Sequence, residues 1–325
     1  MSAKREIVLL GPLKPLVVKG LEAACTVHKA AEAKDRDAFF AAHADVGAIA
    51  CSATTEPIPG SFMARFPKLQ LVASFGVGYD HMDAKWAAAH GVILTNTPQV
   101  LTEEVADTAL GLLIATVREL PQAERHLRAG KWRERGYPLS KATLRNRSVG
   151  LVGMGRIGMA IARRLDAFGV PVVYHTRRRR EDLGHRHYSS LVAMAREVDT
   201  LIAIVPGGPA TRHMIDAQVL EALGPDGILI NVARGSVVDE RALIAALNDR
   251  KILAAGLDVF ADEPNVPEEL LAMENLVLLP HVGSASVFTR EKMDQLVVDN
   301  ILAWAAHKPP LTPVSETPWR SWRPK

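Results

Sequence analysis

Two cysteines in 325 residues are too few for a disulfide framework. Cys25 and Cys51 are therefore expected as small buried apolar side chains of a protein in a reducing, cytoplasmic setting. Aromatic residues make up only 5% of the chain and the formal net charge is only +3, which argues against a nucleic-acid-binding face. No apolar stretch reaches the ~18 residues of a membrane-spanning helix. The short apolar run after Lys4 and Arg5 is broken by Gly11 and Pro12, and it reads as a first strand rather than a secretory leader. Low-complexity tracts and solenoid-type repeats are missing too, and no metal site is expected. What the chain does have is apolar content, 48% of its residues, ample for two buried cores. Its length fits two domains better than one.

The most informative stretch runs from Val149 to Arg180. Val149–Val152 reads as a buried strand, and Gly153, Gly155 and Gly158 follow in G-x-G-x-x-G spacing. A helical pattern carries Ile157, Ile161, Ala162 and Leu165 on one side until Gly169 ends it, and a second strand begins at Val172. Strand, tight turn, helix and strand form the context that separates a dinucleotide fingerprint from a chance glycine cluster. Gly153 permits the turn, Gly155 lets a pyrophosphate approach the backbone, and Gly158 lets the helix lie close on the strand. The helix N-terminus offers free N–H groups and partial positive charge to phosphates.

A further absence bears on the cofactor. An NAD site carries an acid about 20 residues past the glycines to accept from the ribose 2′-hydroxyl, but here the chain reads His175-Thr176-Arg177-Arg178-Arg179-Arg180. Guanidinium groups bind a 2′-phosphate that a carboxylate would repel. The reading is NADPH/NADP, held mainly by Arg177 and Arg178 with help from Thr176; a solvated basic loop is the plain alternative.

Elsewhere strands and helices alternate. Apolar runs at Ile7–Leu10, Gly47–Ala50, Leu71–Ser74 and Val92–Leu94 predict a first parallel sheet with helices between them. Within it, Ser74-Phe75-Gly76-Val77-Gly78-Tyr79-Asp80 follows a strand. It reads either as an anion nest, with the Val77 and Gly78 N–H groups binding a substrate carboxylate, or as an ordinary turn. From Thr102 a long helix is expected, kinked at Pro121 and running towards Gly130. The basic loop from Trp132 to Lys141 fits a dimer contact, a lid or a plain surface loop. After the fingerprint, Thr200–Val205, Gly227–Val232, Leu253–Asp258 and Leu276–Leu279 predict a second sheet, and a last helix is expected near 286–306. The tail beyond Pro309 is expected on the surface of the first domain.

Three strand ends carry groups that packing does not require: Asn231-Val232-Ala233-Arg234-Gly235, the segment ending Asp262-Glu263-Pro264, and Pro280-His281-Val282-Gly283. Reducing a 2-oxo acid needs a cation for its carboxylate and carbonyl oxygen and an acid for the developing alkoxide. Arg234 and His281 suit those tasks, and a neighbouring glutamate, Glu263, stabilises and orients an imidazolium.

At this point the stretches F-G-V-G-Y-D, N-T-P-Q-V-L-T-E-E-V-A-D, V-G-L-V-G-M-G-R-I-G, V-P-G-G-P-A-T-R-H-M-I, N-V-A-R-G-S-V-V-D-E, G-L-D-V-F-A-D-E-P and L-P-H-V-G-S together resemble the D-2-hydroxyacid dehydrogenases, in the glyoxylate/hydroxypyruvate reductase branch that includes plant hydroxyphenylpyruvate reductases. The resemblance implies an α/β fold with a Rossmann domain, residues 99–285, inserted into a flavodoxin-like substrate domain, residues 1–98 plus 286–325. It implies a catalytic triad of Arg234, Glu263 and His281, with Val77, Gly78, Ser52 and Arg234 at the substrate. Around the cofactor, Gly153, Gly155, Arg156, Ile157 and Gly158, with Thr176, Arg177 and Arg178, are joined through the resemblance by Val205, Pro206 and Thr211. Val232, Ala233, Asp258 and Gly283 complete that set, the last two near the nicotinamide. A homodimer is usual in the family. Glu263, where formate dehydrogenases have glutamine, sets that branch aside, and the end at Lys325 sets aside the long phosphoglycerate dehydrogenases. The competing function is a dinucleotide-sensing binding protein like the corepressors of the superfamily, which keep the triad.

Overall fold

The computed structural model describes residues 4–52 and 57–319. The chain divides into two compact units, one formed by residues up to Leu101 together with those from Ser286 onward, the other running from Thr102 to Ala285.

The first unit holds a five-stranded sheet of β1 (Arg5–Leu9), β2 (Cys25–Lys29), β3 (Ala48–Ser52), β4 (Leu71–Phe75) and β5 (Ile93–Thr95). The order is β2-β1-β3-β4-β5 and every pairing is parallel, the flavodoxin-like arrangement. β1, β3 and β4 are nearly continuous in buried residues, as strands covered on both faces must be. The sequence had no apolar run for β2. It is an edge strand reading Cys-Thr-Val-His-Lys, with one fully buried residue, because an edge has one ladder neighbour and water beside it.

The other edge is covered by the chain's own tail, which lies on the first domain as expected and pairs with its edge strand. Pro313 bridges Thr95 in antiparallel sense. The Val314 N–H donates to the Leu94 carbonyl at 2.9 Å and the Leu94 N–H donates to Thr317 Oγ1 at 2.9 Å. Val314 and Thr317 are consequently buried. The Val287–Ala305 helix, capped by Ser286, buries Met293, Val297, Ile301 and Trp304 in the same unit.

The second unit holds seven strands: β6 (Val149–Val152), β7 (Val172–His175), β8 (Arg186–Tyr188), β9 (Thr200–Ala203), β10 (Ile228–Asn231), β11 (Ala254–Leu257) and β12 (Leu276–Leu278). All are parallel, in the order β12-β11-β10-β9-β6-β7-β8. The order reverses at β6, which lies between β7 and β9; open α/β sheets bind ligands outside the carboxyl ends at such a point. One apolar layer gathers Leu201, Leu229, Leu243 and Leu257, and the opposite one gathers Leu113, Leu151, Ile161 and Ile230.

The long helix expected from Thr102 ends at Val117. Glu119 takes a left-handed conformation, φ 53°, and a separate helix, Leu120–Arg128, begins there. Pro121 therefore occupies a first turn, where its missing N–H breaks no ladder, rather than the middle of a kinked helix.

Candidate active site

The turn after β6 is shaped by its glycines. Gly153 has φ +108°, and a Cβ on it would stand 2.6 Å from the Ile204 carbonyl oxygen. At Gly155 the same added atom would meet nothing within 4 Å. Gly155 is also the N-cap of the Arg156–Ala167 helix and offers no side chain to it. The first helical N–H groups accordingly remain open beside a backbone approach that any larger residue would fill, which fits a diphosphate. Arg156 is exposed and Ile157 half-buried at this end, and Gly158 is buried under it.

The four consecutive arginines at the end of β7 are not equivalent. Arg180 is engaged, donating to the Met154 carbonyl at 3.0 Å and pairing with Asp182 at 2.5 Å. Arg179 faces Glu181 at 3.4 Å. Arg177 and Arg178 are exposed, and no ion pair holds either of them among the described residues. Thr176 Oγ1 donates to the Arg178 carbonyl at 2.7 Å and tightens this turn. Across the switch point, Thr211 Oγ1 donates to the Pro206 carbonyl at 2.7 Å, closing the loop that starts at half-buried Val205.

Next along the sheet, β10 ends in buried Asn231. Its Oδ1 accepts from the Ala233 N–H at 3.0 Å and its Nδ2 donates to the Arg234 carbonyl at 3.0 Å. These two bonds fold the segment through buried Val232 and Ala233 and deliver half-buried Arg234. Gly235 is required here, since a Cβ would sit 1.8 Å from the Phe260 carbonyl carbon. The loop after β10 thus packs directly on the loop after β11.

β11 leads into Asp258, 2% exposed. Its carboxylate accepts from the Val282 N–H at 2.7 Å and the Gly283 N–H at 2.8 Å, and its carbonyl accepts from the His281 N–H at 2.9 Å. Burial pushes the Asp258 carboxyl up, against the opposing pull of those N–H groups and the His281 charge. The Gly283 carbonyl in turn accepts from Thr108 Oγ1 at 3.1 Å. This frame holds His281 at φ +54°, a left-handed conformation that non-glycine residues enter only when their surroundings enforce it.

Held this way, His281 Nδ1 lies 2.7 Å from Glu263 Oε2. Glu263 Oε1 accepts from the Phe260 N–H at 3.0 Å. Burial acts to raise the Glu263 carboxyl, but the His281 and Phe260 hydrogen bonds and the charges of His281 and Arg234 outweigh it and hold the group below its ordinary range. Both side chains keep about a third of their surface, 35% for His281 and 31% for Glu263. The pair is therefore oriented yet reachable, with Nε2 of the ring directed away from the bond to Glu263.

The second unit thus brings Glu263 and His281 into contact, places Arg234 within electrostatic reach, and adds Asp258 and Gly283 as the frame. Asn231, Thr108 and the Phe260 N–H were given no role from sequence. An asparagine closing a strand before a tight turn is the one signal that could have been read. Val77, Gly78 and Ser52 belong to the first unit. There the Val77 carbonyl accepts from Asn96 Nδ2 at 2.7 Å and the Gly76 N–H donates to Thr97 Oγ1 at 3.0 Å. The Val77 and Gly78 N–H groups donate to no other described residue. Ser52 ends β3, just before residues outside the described set.

Residues 110–283 match the family model for the D-isomer specific 2-hydroxyacid dehydrogenase NAD-binding domain. The chain belongs to this family. Among dehydrogenases of known sequence it is 46% identical over 248 residues to glyoxylate/hydroxypyruvate reductase A of Arabidopsis thaliana, covering 76% of this chain and 79% of that one. It is 38% identical to the 2-ketogluconate reductase of Gluconobacter oxydans, covering 97% and 100%. The crystal structure of the NADPH-dependent glyoxylate/hydroxypyruvate reductase of Sinorhizobium meliloti, in complex with NADP and malonate, superposes with a TM-score of 0.94 at 53% identity, over 99% of this chain and 100% of that one. The seven-stranded unit is the family's Rossmann domain.

Proposed function

We infer that the protein is an NADPH-dependent reductase of small 2-oxo acids of the glyoxylate and hydroxypyruvate class, yielding the D-2-hydroxy acids. The observation that carries this reading is the His281–Glu263 bond of 2.7 Å within reach of the Arg234 charge, on the same sheet as the glycine turn. The sensing alternative finds no favour among relatives that are reductases by name.

The reduced nicotinamide, when bound, supplies the hydride. The residues of the chain do the rest. Gly153, Gly155 and the helix start at Arg156, Ile157 and Gly158 hold the diphosphate. Arg177 and Arg178, the uncommitted members of their run, hold the 2′-phosphate with Thr176 shaping the turn. Val205, Pro206 and Thr211 line the adenosine end, and Val232, Ala233, Asp258 and Gly283 the nicotinamide end. Arg234 binds the substrate carboxylate and polarises the carbonyl oxygen. His281 donates its Nε2 proton to that oxygen as charge develops, and Glu263, bonded to Nδ1, stabilises the imidazolium and fixes the ring. The first unit serves as the substrate domain, with the Val77 and Gly78 N–H pair binding carboxylate and Ser52 near the substrate's variable end.

We also read the protein as a cytoplasmic homodimer. Its two free cysteines are buried, as suits a reducing compartment. Leu120, Leu127, Trp132 and Leu139 are 48%, 55%, 67% and 95% exposed on the Leu120–Arg128 helix and the loop after it, an apolar surface suited to a second copy. Sedimentation at micromolar concentration gives twice the chain mass on this reading, and the chain mass if it is wrong.

The function is tested by steady-state kinetics with a panel of 2-oxo acids, including glyoxylate, hydroxypyruvate and 2-ketogluconate, each with NADPH and NADH at one pH. Turnover of a small 2-oxo acid with NADPH preferred supports the reading. Better use of NADH, or turnover of none of the acids, overturns it.

A further inference from the structure

Glu6, His28 and His43 lie apart from every group discussed so far. Glu6 is on β1, and His28 is on β2, diagonal to it across the ladder, since Glu6 stands opposite Thr26 and Val8 opposite His28. His43 ends the Arg36–Ala42 helix as its C-cap. One carboxylate oxygen and one nitrogen from each ring all lie within 4.8 Å of one another. His28 Nε2 is 3.3 Å from Glu6 Oε2, and the two imidazoles are stacked with centroids 3.8 Å apart and 26° between their planes. The Phe39 ring packs against His43 with centroids 4.6 Å apart and 60° between the planes. We propose that these three side chains form a binding site for a divalent transition-metal ion of the zinc type.

Two imidazoles and one carboxylate are borderline donors that suit zinc, nickel or copper, whereas calcium and magnesium call for oxygen alone. A metal ligand must be a neutral imidazole. Tetrahedral bonds of about 2.0–2.1 Å place donors roughly 3.3 Å apart. Around one tetrahedral ion the two ring centroids stand roughly 5 Å apart, so ligation swings His28 and His43 out of their 3.8 Å stack, and the Glu6 side chain, 54% exposed, has room to swing in. Three protein ligands leave one position for water, which makes the ion exchangeable. The ligands come from β1, from edge strand β2 and from the end of the helix that follows, so the bound ion would pin that edge. The plain alternative is a His28–Glu6 ion pair with His43 stacked on it.

The test is calorimetric titration of chelator-stripped full-length protein with zinc chloride, with thermal melts alongside. The site predicts one equivalent bound, and a melting temperature a few degrees higher at saturation, since an ion that binds only the folded chain stabilises it. His43→Gln and His28→Gln are each expected to weaken zinc by about tenfold or more, because even changes outside the first ligand layer cost that much. Both variants keep full reductase turnover in chelator. Should a histidine variant fold poorly, exposed Glu6→Gln reads the same loss. Zinc binding that is undiminished in these variants, that vanishes instead in His281→Gln, or that is missing from the parent overturns the proposal.

Discussion

Two glycine turns follow two central strands in this molecule, one per unit, and they lead to different chemistry. After β6 the turn runs straight into the Arg156–Ala167 helix, so open backbone N–H groups and the helix dipole face the same way. After β4, Gly76-Val77-Gly78 runs into a bridge at Met82, and the next helix starts only at Ala84. That second turn presents two N–H groups and no dipole, enough for a single carboxylate. The titratable groups show the same contrast. Arg234, Glu263 and His281 are delivered by consecutive strand ends of the seven-stranded sheet, while the glycine turn after β4 carries no charge of its own. On the proposed function, the second unit would carry the reaction and the glycine turn of the first would hold the substrate carboxylate. Damage to the His281–Glu263 pair of the second unit should appear in kcat, and damage to the glycine turn of the first in KM for the oxo acid.

The largest effect is expected from His281→Ala. Removing a general acid costs about 10²- to 10⁴-fold, here in kcat for hydroxypyruvate. A variant within a few fold of the parent would end the acid role and the division of labour with it. Glu263→Gln keeps a hydrogen-bond partner for the ring but loses the charge. It should cost roughly ten- to a hundredfold in kcat, less than loss of the acid itself, and shift the alkaline limb of the pH–rate profile to lower pH. Glu263 also leaves a thermodynamic signature. Its carboxyl sits below its ordinary range in the folded chain, so its stabilisation is in place above about pH 4.3 and is lost as pH falls through the folded value. Melts of the parent and Glu263→Gln should therefore diverge near neutral pH and converge in acid.

A double Arg177→Ala, Arg178→Ala variant should raise KM for NADPH by roughly ten- to a hundredfold, the worth of charged hydrogen bonds, and leave NADH nearly untouched. An equal effect on both cofactors would mean that the two guanidinium groups do not read the 2′-phosphate. The smallest effect belongs to the first unit. Asn96→Ala releases the Val77 carbonyl held at 2.7 Å and should raise KM for the oxo acid about two- to tenfold, the worth of one hydrogen bond, with kcat kept. A fall in kcat instead would blur the contrast between the units.

The central strands could be read from sequence because burial on both faces demands unbroken apolar runs, as at Val149–Val152 and Ile228–Asn231. Two of the edge strands could not. β2 and β8 are half in water, and Arg186–Tyr188 carries no aliphatic residue. Glu263 and His281 stood out because neither is needed for packing at a strand end. Asn231 and Asp258 work through the backbone, bonding the N–H groups of Ala233, Val282 and Gly283, and no spacing rule announces such contacts. The break at Glu119 was hidden because Pro121 suits a kinked helix and a helix start equally well. Glu6, His28 and His43 had no motif to betray them, since their segments meet only when β2 pairs with β1.

The proposed reaction requires hydride to reach an oxo acid held at His281 and Arg234. The direct measurement is mass spectrometry of the product formed from hydroxypyruvate and NADPH carrying deuterium at the transferable position, with the parent and His281→Ala run side by side. The account predicts a D-2-hydroxy acid with one deuterium at C2 from the parent, and almost none in the same time from the variant. Unlabelled product, or labelled product formed equally fast by both, would contradict it.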